Sequence, residues 1–299
     1  MPTKIIYSPN YDIAIPEHPW KIGKYKAVHD RVISSGVAAK GDIILVDAAS
    51  EEDLLLVHTW EYIERFRNGD WNSEELAGSE LEVNDKLARF FWTAAEGTIV
   101  AYEEALKHGS AAHIGGGFHH AFAGYASGFC LINDIAVGIR KMQKDKKISK
   151  ALVIDLDVHQ GDGTAKIFEN DLSVFTFSIH ERDNFPYRKQ KSTLDIELES
   201  MTADDEYLAR LKEHLPGIIK KHKPDLIIYV AGADPYEHDV LGGLSITMEG
   251  LKRRDEYVAS LAFASKIPIV STFAGGYAAK FEDTVQIHFN TIATLARSK

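Results

Sequence analysis

The chain has 299 residues, of which 26% are charged and 45% are hydrophobic, as is usual for a globular protein. The formal net charge of −10 argues against sequence-independent binding to nucleic acid phosphates. This charge leaves two interpretations open, simple colloidal solubility and attraction of cationic substrates such as lysine-rich tails or polyamines.

Two features indicate a reducing compartment inside the cell. Cys130 is the single cysteine, which excludes a disulfide framework and a cysteine-based zinc cluster. Residues 1–10 lack the basic flank and apolar core of a secretory signal, and no apolar run approaches the roughly 20 residues of a membrane span. We therefore expect a soluble, cytoplasmic protein without membrane contact, and a nuclear location stays open for a eukaryotic source.

Strand-like apolar runs alternate with amphipathic helical patterns along the chain. This alternation predicts an α/β fold with a mostly parallel sheet flanked by helices. Since no linker rich in Ser, Gly or Pro interrupts it, we expect a single domain over residues 1–299. The predicted strands are 43–47, 111–114, 151–158, 174–179, 225–230 and 267–273, and the predicted helices are 51–66, 88–107, 132–144, 204–221, 247–264 and 284–296.

Polar residues follow four of the predicted strands directly. The segment from Asp155 to His159 lies at the end of one of them, and His180, Asp234 and Tyr277 follow three others. In an open parallel sheet, ligands bind outside the carboxyl ends of the strands. We therefore expect these four segments to meet at one end of the sheet.

Asp155, Asp157 and His159 alternate along a run that we expect to be extended, so their side chains would share one face. Two carboxylates and an imidazole are costly in a core strand and fit a metal ion better than a packing role. Together with Asp234, the pair Asp157 and His159 would supply the three protein ligands of a hydrolytic zinc site with one open position. Iron(II) is an alternative ion for such an oxygen-rich set. The alternative for each aspartate is a helix cap or a surface charge.

His119 and His120 follow the glycine-rich segment 115–117. A histidine can accept a proton from water and return it to a leaving amine near neutral pH. Asp155 and Asp162 are the candidate acceptors that would orient these imidazoles. Tyr277, after two glycines, can donate a hydrogen bond to an oxyanion. The alternatives are an ordinary loop for the histidines and an ordinary aromatic position for Tyr277.

The chain resembles the zinc-dependent histone deacetylase family, with its relatives the acetylpolyamine amidohydrolases and acetoin-utilisation proteins. The forms GGGFHH, DLDVHQGDG and DVLGGLSIT are most similar to the class IV branch. The resemblance covers most of the chain, and its matching stretches are HIGGGFHHAFAGYASGFCLINDIAVGI, ALVIDLDVHQGDGTAKIF, VFTFSIH, AGADPYEHDVLGGLSIT and FAGGY.

By this resemblance the fold is of the arginase/deacetylase type, with a central sheet of about eight strands. The resemblance implies Asp157, His159 and Asp234 as zinc ligands. It implies His120 with Asp162 as general base and then acid, His119 with Asp155 as the electrostatic histidine, and Tyr277 as the residue that polarises the scissile carbonyl.

The resemblance also implies a substrate tunnel and a structural potassium ion. Phe129 and Phe185 would form the tunnel walls, with core packing as the alternative for both, and the Gly128 carbonyl would accept from the substrate amide. Gly276 is a further candidate contact. The expected potassium site comprises Asp155, Asp157, His159, Ser178 and Ile179.

These residues predict a metal-dependent amide hydrolase that removes acetyl or longer acyl groups from N-acyl-lysine. One alternative is a small-molecule amidohydrolase of the acetylpolyamine or acetoin type. Another is a non-catalytic acyl-lysine binder, which the presence of His120, Tyr277 and all three ligands disfavours. Acyl length and oligomeric state stay open, and the segment 69–85 is expected to form a rim that selects peptides. Lys24 stands where class I enzymes carry a channel arginine.

Overall fold

The computed structural model describes residues 3–71 and 78–297 of the chain. All strand pairings in its sheet are parallel. The predicted α/β fold, with about eight mostly parallel strands flanked by helices, is confirmed. The strands are β1 (Lys4–Tyr7), β2 (Ile43–Leu45), β3 (Ser110–His113), β4 (Ala151–Asp155), β5 (Val174–Glu181), β6 (Leu194–Leu198), β7 (Leu226–Val230) and β8 (Ile269–Thr272). They form one eight-stranded sheet in the order β2-β1-β3-β8-β7-β4-β5-β6.

Helices cover the sheet and begin and end at recognisable capping residues. The Asn84 side chain accepts two backbone N–H groups at one helix start, and Gly36, Gly69 and Gly109 end three helices in the left-handed conformation. The helices are α1 (Lys24–Ser35), α2 (Glu51–Leu54), α3 (Trp60–Asn68), α4 (Asp85–His108), α5 (Asp134–Lys144), α6 (Asp162–Ile167), α7 (Asp204–His222), α8 (Met248–Ser265) and α9 (Phe281–Arg297), with 3₁₀ turns at Pro9–Tyr11 and Lys40–Asp42.

The four central strands, β3, β8, β7 and β4, are buried at every residue. Burial on both faces explains their nearly continuous apolar runs, which is why the sequence pattern located them. Their carboxyl ends lie side by side at one edge of the sheet. The loops that follow these four strands therefore meet over the middle of the sheet.

Two predicted elements were wrong in their extent. The predicted helix 51–66 is two helices, because Thr59 caps α3 through its side chain and its N–H donates to the Ala123 carbonyl. The predicted strand 151–158 ends at Asp155, where the Asp157 N–H turns back to the Asp155 carboxylate. Asp157 and His159 consequently do not alternate along a strand, and a loop brings them to the site.

The sequence pattern also missed β1, β6, α1 and the short α6. Residues 72–77 of the predicted rim segment 69–85 lie outside the described residues. Within 3–71 and 78–297, no helix combines the length and apolar character that crossing a bilayer demands. The expectation of one domain over 1–299 stays a prediction.

Candidate active site

Three buried side chains converge beyond the carboxyl ends of β4 and β7. One ligand atom each from Asp157, His159 and Asp234 lies within 4.8 Å of the other two. His159 Nδ1 is 3.0 Å from Asp157 Oδ1 and 3.2 Å from Asp234 Oδ2. The structure thus brings the three predicted metal ligands together.

Backbone amides hold these carboxylates in place. Gly275 N–H donates to Asp157 Oδ2 at 2.8 Å, and Val158 N–H donates to Asp234 Oδ1 at 3.0 Å. Close approach of this kind needs glycine at Gly232, where a Cβ atom would lie 2.5 Å from Asp157 Oδ2. The loops after β4, β7 and β8 therefore form one interlocked unit.

The electrostatics of the three residues fit a divalent cation. Asp234 Oδ2 is buried and receives no hydrogen bond of good geometry from the described residues. Burial opposes a charged His159, but the neighbouring Asp157 and Asp234 outweigh it and raise its pKa to about 10. Burial and the charge of Asp157 raise the pKa of Asp234 to about 7. Two carboxylates and one imidazole nitrogen are a suitable donor set for zinc, and Asp234 Oδ2 is an oxygen without another hydrogen-bond partner among the described residues.

The two adjacent histidines are each paired with a carboxylate. His119 Nδ1 donates to Asp155 Oδ2 at 2.8 Å, and His120 Nδ1 donates to Asp162 Oδ1 at 2.7 Å. Asp162 lies in the first turn of α6, where a negative charge is favourable. Both predicted histidine–aspartate pairs are present. In each pair the aspartate contacts Nδ1, so the Nε2 atom of the imidazole is not hydrogen-bonded to its paired aspartate.

The charges around the two rings differ. Burial lowers the pKa of His119, but Asp155 and Asp157 outweigh burial and raise it to about 9. Burial and the positive charge of His119 lower the pKa of His120 to about 4, against the opposing effect of Asp162. These opposite shifts favour a protonated His119 beside a neutral His120.

A cavity of about 350 Å³ opens from these residues to the surface. Gly128, Phe129 and Phe185 line it, as predicted, and so do Leu241 and Tyr187. The Phe185 ring meets the His120 ring edge-on, with 4.9 Å between centroids. Both rings lie on this cavity, Phe129 also packs against the hydrophobic core, and their role as tunnel walls stays a prediction.

Tyr277 lies at the inner end of the cavity, beside the three ligands. Its backbone N–H donates to Asp239 Oδ2 at 2.6 Å. Burial and the charge of Asp234 raise the pKa of the phenol well above its ordinary value. At Gly276, a Cβ atom would meet Ala233 and Thr284, and the predicted substrate contact of this residue stays a prediction.

The space at the ligands and the two histidines is small. A cavity of about 20 Å³ lies there, and its walls include Trp20, Phe118 and Cys130. This volume is that of one or two water molecules, or of a methyl group.

The residues of the predicted potassium site lie around β4 and β5. Asp155 pairs with Ser178 across the two strands, and Ile179 is the next residue in β5. The Ser178 hydroxyl is hydrogen-bonded to His180 Nδ1 at 2.8 Å. The potassium ion stays a prediction.

The sequence reasoning missed Asp134, which shapes the loop before the histidine pair. The Asp134 carboxylate accepts the N–H groups of Gly117 at 3.0 Å and Phe118 at 2.8 Å. Gly116 and Gly117 have φ angles of 66° and 85°, which glycine tolerates best. The available signal was the place of Asp134 at a helix start, and it indicated a cap rather than a partner for a distant loop.

Lys24 is buried behind the same site. Its Nζ atom donates to the Ala274 carbonyl at 2.9 Å and lies 5.7 Å from the centroid of the Tyr277 ring. Burial lowers the pKa of Lys24 to about 8, against the attraction of Asp234 and Asp157. Lys24 thus holds the loop that precedes Tyr277.

Comparison with known proteins shows the family of the chain. The histone deacetylase domain matches residues 18–292 of the chain. The chain belongs to the histone deacetylase family. Like other family members, it is a hydrolase that acts on amides. The resemblance stated from the motifs is confirmed at this level, and membership of the class IV branch stays a prediction.

Individual histone deacetylase relatives are similar over most of the chain. An uncharacterized protein of Picosynechococcus sp. is 39% identical over 285 residues, which are 95% of both chains. Histone deacetylase 2 of Arabidopsis thaliana is 32% identical over 306 residues, covering 98% of this chain and 78% of that protein. Acetoin utilization protein AcuC of Bacillus subtilis is 34% identical over 267 residues, covering 81% and 69%.

A solved structure shares the fold. The crystal structure of an HDAC homolog complexed with SAHA superposes with a TM-score of 0.84 at 24% identity, covering all of this chain and 85% of that one. At this identity the likeness concerns the fold alone.

Proposed function

We propose that this histone deacetylase family member is a zinc-dependent deacylase that hydrolyses N-acyl-lysine side chains. One observation carries the proposal. His119, His120, Asp157, His159 and Tyr277 line the inner end of a single cavity, and Asp234, Asp155 and Asp162 lie against these residues. Amide hydrolysis uses these groups together. The metal ligands hold the ion that polarises the carbonyl, a histidine acts first as base and then as acid, and a tyrosine donates a hydrogen bond to the oxyanion.

A zinc ion held by Asp157, His159 and Asp234 would polarise the acyl carbonyl and make a water molecule more acidic. Iron(II) is the alternative ion for this donor set. With two carboxylate ligands, water is acidified less than by three imidazoles, so a separate protein base is useful.

His120 is the proposed base. Its Nε2 atom accepts a proton from the water that attacks the acyl carbon, while Asp162 keeps the other proton on Nδ1. A neutral imidazole is required for this step, in agreement with the lowered pKa of His120. The protonated ring then donates the proton to the amine nitrogen as the C–N bond breaks.

Tyr277 and His119 are proposed to stabilise charge. The Tyr277 phenol, kept neutral by its raised pKa, donates a hydrogen bond to the acyl oxygen as negative charge develops there. His119, held in its protonated form by Asp155, places a positive charge close to the same oxygen. Neither group changes its protonation state during the reaction.

The cavity supports an acyl-lysine substrate with a short acyl group. Phe129 and Phe185 would flank the aliphatic lysine stem, and the Gly128 carbonyl would accept from its amide. The space at the catalytic residues is about 20 Å³, which favours the small methyl of an acetyl group over a longer acyl chain. We therefore propose acetyl-lysine as the preferred substrate.

A small acetylated polyamine is the second candidate. Glu80 lies on the cavity wall and the net charge of the chain is −10, and both features favour a cationic substrate without requiring a peptide. The relatives named acetoin utilization protein are consistent with a small-molecule role.

Turnover assays test both candidates. Zinc-loaded protein is expected to hydrolyse an acetyl-lysine peptide faster than the octanoyl-lysine and N-acetylputrescine analogues. His120→Ala is expected to lose nearly all activity, whereas His238→Ala, at an exposed loop position, keeps it. Failure of the zinc-loaded wild type to cleave any of the three substrates would refute the proposed function.

A further inference from the structure

Arg254 lies beneath the active site in α8 and has 0% of its surface exposed. Its Nη1 atom donates to two backbone carbonyls, that of Leu156 at 3.2 Å and that of Gly232 at 2.8 Å. Leu156 directly precedes Asp157, and Gly232 is two residues before Asp234. One guanidinium nitrogen therefore joins the loop after β4 to the loop after β7.

The charge of this guanidinium is balanced inside the protein. Asp255 Oδ1 lies 3.0 Å from Arg254 Nε and 2.9 Å from Nη2. The hydroxyls of Tyr229 and Thr291 donate to the same carboxylate. A buried ion pair is costly compared with apolar packing, so its presence here points to a need for defined geometry.

Gly232 transmits that geometry to the ligands. A Cβ atom on Gly232 would lie 2.5 Å from Asp157 Oδ2 and 2.8 Å from Asp234 Oδ1, so the side-chain face of this residue borders both carboxylates. A shift of the Gly232 backbone would bring it into contact with one of the two carboxylates or move it away from both. The position of the Gly232 carbonyl, which Arg254 holds, is thus coupled to the separation of Asp157 and Asp234.

We propose that Arg254 is a positioning residue that fixes the spacing of the ligands Asp157 and Asp234 by holding the carbonyls of Leu156 and Gly232. The inference rests on the proposed metal site. It predicts that loss of the clamp weakens metal binding while the fold is kept. Hydrogen-bonded groups behind metal ligands typically contribute about 10- to 100-fold to metal affinity.

The test is the zinc dissociation constant, measured by chelator competition, together with the visible spectrum of the cobalt-substituted protein. Arg254→Lys keeps the charge but replaces the planar fork with a single ammonium, which cannot serve both carbonyls and Asp255. We expect about 10- to 100-fold weaker zinc binding and an altered cobalt spectrum. Arg253→Lys, the same change at the exposed neighbouring position, is the matched control, and it should bind like the wild type.

A double variant keeps the test decisive if Arg254→Lys does not fold. Arg254→Met with Asp255→Asn removes both charges and avoids an unpaired buried ion. The amide oxygen of the introduced asparagine accepts from one of the Tyr229 and Thr291 hydroxyls, and its NH2 group can donate to the other hydroxyl. It should unfold near the wild-type temperature and still bind zinc weakly. Wild-type affinity and an unchanged cobalt spectrum in the folded variants would overturn the role of Arg254. If the wild type itself binds no zinc, the proposed function fails instead.

Discussion

The imidazole rings of His119 and His120 lie 4.1 Å apart between centroids, yet their pKa values move in opposite directions. Asp155 and Asp157 hold a proton on His119 against its burial, whereas burial and the charge of His119 keep His120 neutral. Two identical side chains next to each other in sequence thereby acquire different chemical capacities. A pair with pKa values pushed apart is the usual arrangement for dividing charge stabilisation from proton transfer.

Asp155→Asn should shift the pH profile of the enzyme. Without the carboxylate, His119 loses its proton more readily, and its charge no longer lowers the pKa of His120. The acid limb of kcat/KM, where His120 becomes protonated, should therefore move to higher pH. Profiles of wild type, Asp155→Asn and the exposed control Asp30→Asn would measure this. An acid limb that stays in place or moves to lower pH in Asp155→Asn contradicts the assignment.

Tyr277→Phe should lower kcat by about 10²- to 10³-fold, because the phenol acts on charge that exists mainly in the transition state. KM and the zinc dissociation constant should change little. Tyr187→Phe is the matched control, since Tyr187 lies on the same cavity but is 92% exposed at its mouth. A large increase in KM with normal kcat would instead indicate that Tyr277 only binds the ground state.

Removal of the metal should abolish turnover and lower the thermal unfolding temperature. In the metal-free site His159 is left as the counter-charge of the Asp157 and Asp234 carboxylates, which a bound divalent ion would neutralise more fully. Free zinc at 100 times its dissociation constant is expected to add about 2.7 kcal/mol to the free energy of unfolding. Calorimetry after chelation and zinc addition measures this change. Magnesium is the control ion and should not restore activity, because the set contains a nitrogen donor. Full activity after complete chelation would exclude the metal site.

His58 should make the metal-free protein sensitive to acid. Its Nε2 atom accepts the Asn133 N–H at 3.1 Å, so a proton on Nε2 would break that contact. Burial, against a hydrogen bond to Ala123, lowers the pKa of His58 from 6.5 to about 4. As the pH falls from 6.5 to 4, the unfolded chain binds this proton and the folded chain does not.

The free energy of unfolding should consequently drop by about 3 kcal/mol across that interval from His58 alone. Denaturant titrations at several pH values would measure the drop. In His58→Gln, which keeps an acceptor for Asn133, the slope against pH should be smaller, while in His238→Gln it should match the wild type. Equal slopes in all three proteins would refute this role of His58.

The sequence predicted those strands whose burial on both faces requires a continuous run of apolar residues. The central strands β4 and β7 are apolar on both faces, so their runs stand out from the surroundings. Strand β1 was missed because its apolar run, from Ile5 to Tyr7, lies between the polar residues Lys4 and Ser8. Helix 51–66 was predicted as continuous because the pattern does not reveal the hydrogen bond from Thr59 to Ala123 that separates α2 from α3.

The sequence predicted the charged residues of the site, but it did not predict the residues that hold the surrounding backbone in place. Asp157 and His159 were grouped correctly but for a wrong reason, since they follow the strand instead of alternating within it. Asp134 and Arg254 act on backbone groups, and Arg254 is 98 residues away in sequence from Leu156. Backbone N–H and carbonyl groups are nearly the same in every residue. The residue types in the sequence therefore do not indicate which backbone group a side chain will bind.

Gly232 and Gly275 have no functional group, yet an added methyl at either position would intrude on Asp157 or Asp234. Alanine at Gly275 would overlap Asp234 Oδ2, the oxygen that lacks a hydrogen-bond donor among the described residues. In a saturation mutagenesis screen for activity, these two codons should therefore be as intolerant as those of the acidic residues they adjoin. At Gly232 and Gly275 the absence of a side chain is therefore required as strictly as the carboxylate is at Asp157 and Asp234.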